Sequence, residues 1–445
     1  LQVVGDDHLN NKNRTTNEYY GLTSWVTKTQ LSHGSALTVL TETTYDHMGR
    51  VKEMWQTMDG QTANRTLVAS HQYNELGQLV EKNVHSTNSG TTFLQSNDYR
   101  YNIRGWMTHI NNSQLNSDGT YNDDANDLFG MELKYNDVVS INGVNTTAQF
   151  NGNISAIQWK TSNLVDASTE KIYGFTYDNL NRLKDAKYAA KNGANWNVDV
   201  NLYDENLTYD KNGNITTLKR KSLFNSTTNA LIDDLVYKYK GNQLDAVLDN
   251  ATATYKPYGF AETTTLTTGE YTYDANGSME VDQNKGIVGP SGPDPKGVLY
   301  NHLNLPREVR LGSKKIVYTY DAAGTKLRKV AYDNAGVLIS RTDYIGGIQY
   351  EGVQAVTSPP LAADLKFMST AEGRVVKDGA NWNYEYFHKD HLGNTRVVYG
   401  HQKQVDVYKA TMETPTPIAN KEQSQFYNIS TRRVTAFNRT PASIE

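Results

Sequence analysis

The sequence predicts an all-β protein, built from repeats of short antiparallel hairpins joined into a continuous ribbon. Three observations carry that expectation. Thirty tyrosines stand against ten phenylalanines, and Tyr and Thr suit half-buried pleated surfaces. Asn and Gly are abundant, as turns require, while Ala-rich and Leu-rich helical runs are scarce. A Tyr-Asx turn signal also returns along most of the chain.

The bulk numbers exclude several classes of function. Forty-four basic residues against 48 acidic ones leave a net charge of -4, so no basic excess points to nucleic acid. The absence of cysteine rules out disulfides, thiolate metal sites and cysteine nucleophiles. No stretch approaches the ~18 apolar residues of a membrane-spanning helix. The sequence starts at Leu1 without a visible signal peptide. It reads as part of a longer chain, with any export signal lying outside it.

Residues 1–40 read as a lead-in β segment. A repeat ribbon is expected from 41 to 345, where one turn is spelled many times: "YDHMGRVKEM" (45–54), "YNELGQLVEK" (73–82), "YNIRGWMTHI" (101–110), "YDNLNRLKDA" (177–186), "YDKNGNITTL" (209–218), "YDANGSMEVD" (273–282), "YNHLNLPREV" (300–309), "YDAAGTKLRK" (320–329) and "YDNAGVLISR" (332–341). The physics of a hairpin accounts for the spelling. Asp or Asn opens a type I turn because its side-chain oxygen accepts a backbone N–H two residues on. The fourth turn residue then takes a left-handed conformation, which Gly adopts freely and Asn tolerates best among the others. The predicted structural pairs are Asp46 with Gly49, Asn74 with Gly77, Asp178 with Asn181, Asp210 with Gly213, Asp274 with Gly277, and Asp321 with Gly324.

Successive tyrosines at 45, 73 and 101 lie 28 residues apart. Four-stranded propeller blades need ~40 or more, so they fit poorly. Units of 28 residues hold two or three short strands and cannot bury their own faces, so neighbours must pair. "FNGNISAIQWK" (150–160) and "YKGNQLDAVL" (239–248) read as eroded copies. Residues 346–409 read as a closing segment containing "YFHKDHLGNTRVVYG" (386–400). There Asp390 and Gly393 repeat the turn, and His391 occupies a free position, as His47 and His302 do elsewhere. The histidines His388 and His391 are expected in solvent at the apex, without a convergent third metal ligand.

These motifs resemble the RHS (rearrangement hot spot) or YD-repeat family. "YDHMGRVKEM" and "YDNLNRLKDA" are close to its repeat, and "YFHKDHLGNTRVVYG" is similar to its core signature. The resemblance covers roughly residues 40 to 400. It implies a ribbon that spirals into a hollow shell, with the core segment near the closing end and often a C-terminal toxin inside. The autocleaving members' aspartate-proline-glycine motif has no counterpart after Tyr399. Edge physics favours the same spiral, because a long ribbon cannot leave its open edges exposed without recruiting other strands.

Candidate chemistry is sparse. "YDKNGN" places Asp210, Asn212 and Asn214 like the start of a calcium loop, yet Lys221 stands where the twelfth-position glutamate would be needed. No nucleophile elbow, zinc-binding H-E-x-x-H or phosphate loop occurs. No cofactor is expected. Glu385 and Asp390 are the one carboxylate pair placed for a hydrolase. Trp382 and Tyr384 alternate along "NWNYEYF", giving either an aromatic ladder within the sheet or a glycan-binding face.

After Tyr399 the style changes, and 410–445 reads as a connector or the start of a further domain. The functional expectation is a non-enzymatic shell or scaffold of a large exported bacterial protein, secreted or at the cell surface. Its partner would be its own C-terminal domain or a protein of a secretion or surface complex. The alternative is a cell-surface adhesin that binds glycan.

Overall fold

The computed structural model describes residues 1–8, 12–21, 23–34, 37–61, 65–124, 126–162, 169–223, 228–290, 294–353, 355, 364–379 and 381–400. Residues 410–445, read above as a connector, lie outside them. The described residues form 32 strands and one 3-10 turn at Lys256–Tyr258, with no α-helix. None of their elements is a helix long and apolar enough to cross a membrane.

The pairing is a meander. Strands from Gln2–Asp6 to Gln243–Asp249 belong to one sheet, Tyr271–Tyr273 and Met279–Asp282 form a hairpin, and Val298–Tyr300 to Thr395–Gly400 form a ten-stranded sheet. The short strands Ser140–Ile141, Val144–Asn145 and Asn195–Val198 make a side excursion, with one parallel pairing between Ile141 and Trp196. Strand Leu37–Tyr45 pairs on both sides across the 40/41 boundary. The sheet likewise continues through the hairpin between Leu338–Ile345 and Ile348–Gly352. No break in the pairing therefore falls at either of these two boundaries.

A bulge recurs at the tyrosine before the turn. Thr44 pairs with Glu53 but Tyr45 with Val51, and the same slip occurs at Tyr73, Tyr177, Tyr209, Tyr273, Tyr300 and Tyr320. The extra residue strengthens local twist and bends the strand, so a repeated bulge bends the ribbon repeatedly in one sense. Because successive strands are antiparallel, the Tyr-Asx turns fall on one edge of the strip. The turn opened by Asp333 is the exception and lies on the other edge.

The bent strip returns to its own beginning. Lys82 meets Glu372 at 2.6 Å across 290 positions, and about twenty ribbon strands lie between them. At ~4.8 Å per strand that gives a perimeter of roughly 100 Å, or a circle ~30 Å across. A barrel of about eight strands is filled by its own side chains, whereas 16–18 leave a channel. The perimeter of one coil of this ribbon is thus well beyond that of an eight-stranded barrel.

Where the coil overlaps itself, the two layers share a core. Leu37, Val39, Met58, Val68 and Val84 sit near the strand ends farthest from the Tyr-Asx turns, and they pack with Ile345, Ile348, Tyr350, Met368, Val375 and Tyr386. A second cluster of Tyr99, Ile110, Phe129, Met131, Leu133 and Tyr135 receives Val397 from the closing strand.

Candidate functional site: a clasped turn edge and the seam that closes the coil

Each turn is held by its first residue. Asp390 Oδ1 accepts the N–H groups of Leu392 and Asn394, both at 2.9 Å, and the Gly393 N–H reaches the Asp390 carbonyl at 3.0 Å. Gly393 has φ 84°, and where most copies have Gly, Asn181 and Asn304 stand at 64° and 57°. Asp46, Asn74, Asp178, Asp210, Asp274 and Asp321 accept the same pair of N–H bonds. Gly49, Gly77, Gly213, Gly277 and Gly324 all have positive φ. At Asp178 the Arg182 backbone N–H and guanidinium hold the carboxyl below its ordinary range. The bonds within the Asp210 loop, which echoes a calcium site in sequence, are spent on the turn itself.

The tyrosine does something that the turn chemistry alone did not reveal. Its hydroxyl crosses to the preceding hairpin and donates to the first carbonyl beyond that turn. Tyr73 reaches Val51 at 2.9 Å, Tyr209 reaches Leu183 at 2.7 Å, Tyr239 reaches Ile215 at 2.8 Å and Tyr300 reaches Met279 at 2.7 Å. Phenylalanine fills the same space without this bond, which accounts for the Tyr bias. The arginine after the turn completes the clasp. Arg182 Nε bonds Asp178 at 2.7 Å while its guanidinium lies 4.5 Å over the Tyr209 ring, and Arg50 repeats this with Asp46 and Tyr73. The Gly-Arg and Asn-Arg spellings carried that signal. Tyr332, on the opposite edge, has Lys315 over its ring instead.

The seam is built from polar groups as well as the shared core. Glu372 receives Lys82, with His71 3.7 Å away. Burial opposes the Glu372 charge, but His71 and Lys82 bring its pKa down to about 2. His85 Nδ1 lies 3.0 Å from the Tyr386 hydroxyl. Asp343, 1% exposed, binds Arg328 and Arg341 at 2.6 Å each and His8 at 2.9 Å.

The signature segment lies across this seam. His388 is not in solvent as the hairpin position suggested: it is 3% exposed and meets the Phe129 ring edge-on at 5.1 Å. Strand alternation turns it inward, beneath the first coil, whereas His391 is half-buried at the tip. Burial, with a smaller contribution from Lys82, lowers the His388 pKa to about 3. Both of its ring nitrogens lack a hydrogen-bond partner among the described residues.

The remaining sequence candidates fall on the same segment. Tyr384 is buried and stacks on Tyr386 at 6.2 Å, so its ring faces the protein core rather than a ligand. Trp382 donates to Asp59 at 3.0 Å and lies beneath Lys377. Glu385 binds Arg374 at 2.5 Å, and Asp390 binds Arg396 at 2.7 Å besides its turn N–H groups. Each of the two carboxylates is held by an arginine. Among the described residues no group of three or more His, Asp or Glu could hold a metal ion.

No family model and no curated protein matches the chain. Solved structures do. A Tc holotoxin pore of Photorhabdus luminescens is similar over 88% of this chain, at 14% identity and TM-score 0.54, and 18% of that chain is covered. A TcdB2–TccC3 crystal structure without the hypervariable C-terminal region is similar over 87%, at 15% identity and TM-score 0.52, with 17% covered. This chain therefore spans less than a fifth of either. The fold is the all-β, spiralling ribbon of the RHS or YD-repeat type.

Proposed function

We propose that this chain is a non-enzymatic wall segment of an RHS-type shell, part of a large exported bacterial protein, that encloses or presents another polypeptide. The coil of about twenty strands supports the reading, because its perimeter exceeds what its own side chains can fill. The likeness to Tc toxin structures supports a toxin-associated or surface-complex setting. The guest would be the protein's own C-terminal region or a protein of that complex, at the cell surface or outside the cell.

The turn edge offers a second protein-facing surface. Met48, Leu76, Ile103, Phe150 and Leu180 are exposed at or beside successive turns along that edge, which would present an apolar row to a partner. Protease protection in the intact protein tests the shell. A guest segment should resist cleavage until the seam is opened, for example by Lys82→Glu. A guest cleaved equally fast with the seam intact, or a map showing a filled two-layer sandwich, would remove the proposal.

A further inference from the structure

We propose that the cleft between Trp25 and Trp55, on the face of the first strands, binds a short oligosaccharide. Its volume, about 690 Å³, falls within the ~300–1,000 Å³ typical of small-ligand sites. One wall is aromatic. Tyr20 stacks on Trp25 with centroids 6.0 Å apart and planes 18° apart, and Trp25 leans on Tyr45 at 5.7 Å. The other wall is Trp55, whose ring is covered by the Arg65 guanidinium at 3.9 Å. Glu42 accepts from Arg65 at 2.8 Å, and Thr27 and Thr44 line the space between the walls.

A sugar ring has an apolar C–H face and an edge of hydroxyls, so it needs a flat ring beside mixed donors and acceptors. Tyrosine and tryptophan supply the flat surface. Threonine hydroxyls, a carboxylate and a guanidinium supply both donors and acceptors. Arg65 is paired with Glu42, and Asp46, which also lines the cleft, is paired with Arg50, so the lining favours a neutral ligand over an anion. The polar strip between the aromatic walls is unsuited to a lipid chain, because unpaired polar groups against hydrocarbon are costly.

Folding already accounts for part of this cleft. The Trp25 ring covers the turn at Gly49, where an added Cβ would come within 2.6 Å of it, and the Tyr45 hydroxyl donates to Val26. The Tyr20 ring covers no turn and remains 62% exposed, while extending the aromatic wall by one ring. An exposed ring stacked in line with a second one is the feature that points to a ligand. This site is separate from Trp382 and Tyr384, and it does not depend on the shell reading.

A printed glycan array probed with the intact chain tests the site, followed by calorimetric titration of maltopentaose, chitopentaose and the strongest array hit. Saturable binding is expected. Tyr20→Ala and Arg65→Ala should each weaken it about tenfold or more, with the Tyr20→Ala melting curve unchanged and Trp382→Ala binding as the parent does. No saturable binding to any of these probes, or equal binding by Tyr20→Ala, would overturn the assignment.

Discussion

The Lys82 ammonium and the Glu372 carboxylate stand 2.6 Å apart across 290 positions of sequence, and this ion pair ties the first coil of the ribbon to its closing segment. Both side chains are mostly covered, at 17% and 15% exposure. Breaking a covered pair leaves one charge without its partner, which costs more than the intact pair contributes.

Lys82→Met should therefore destabilise the fold by roughly 3 kcal/mol, whereas the double change Lys82→Met with Glu372→Leu should recover most of that loss. Urea unfolding of both variants measures the difference. Equal destabilisation by the single and double changes would show that the charges are not coupled.

Acid should loosen the seam. The folded His388 resists protonation down to about pH 3, whereas an unfolded imidazole takes its proton near ~6.5. Between those values the unfolded state holds more protons, so stability falls as pH drops. The loss approaches roughly 1.4 kcal/mol per pH unit, or about 2 kcal/mol by pH 5. Glu372 adds to this at lower pH: its pKa of about 2 means that its contribution is lost as pH falls below ~4.5. His388→Phe keeps an apolar ring against Phe129 and should flatten the stability profile between about pH 6.5 and 5. An unchanged slope in that variant would assign the acid response to other groups.

The tyrosine clasp can be tested one hydroxyl at a time. Tyr209→Phe removes the 2.7 Å bond to Leu183 and leaves the ring beneath Arg182. A loss of about 1 kcal/mol is expected, read as a lower urea midpoint with an unchanged slope. The same change at Tyr332, which lies on the other edge beneath Lys315, should cost less.

Position within the closing turn should matter more than residue type in the signature. Gly393→Val places a branched side chain at φ 84° and should destabilise by at least ~1–2 kcal/mol. His391→Ala should stay within about 0.5 kcal/mol. Loss of any activity in His391→Ala without a change in melting would place a function at the turn tip.

Asp343→Asn should be among the most damaging single changes. It withdraws the carboxylate that binds Arg328, Arg341 and His8 at a position 1% exposed. A cost of roughly 3–5 kcal/mol is expected, visible as early exposure of the seam to protease.

The hairpins were legible in the residues because their cause is local. Asp46, Gly49 and their counterparts determine a turn through bonds that span at most four positions, so no distant contact is needed to read them. The Asn181 and Asn304 substitutions were legible for the same reason, since left-handed backbone tolerates few side chains. The Tyr excess pointed to strands, but its hydrogen bond joins one hairpin to the last, and only paired neighbours reveal that register. What the tertiary structure alone decided is the seam. The burial of His388 and Tyr384, the meeting of Lys82 with Glu372 and the contact of His8 with Asp343 all depend on where the strip returns to its own start. That depends on bulge and twist summed over about twenty strands, a small angle at each step that no single repeat encodes. A slight change in the sum would bring Glu372 to a different strand while leaving every turn as it is.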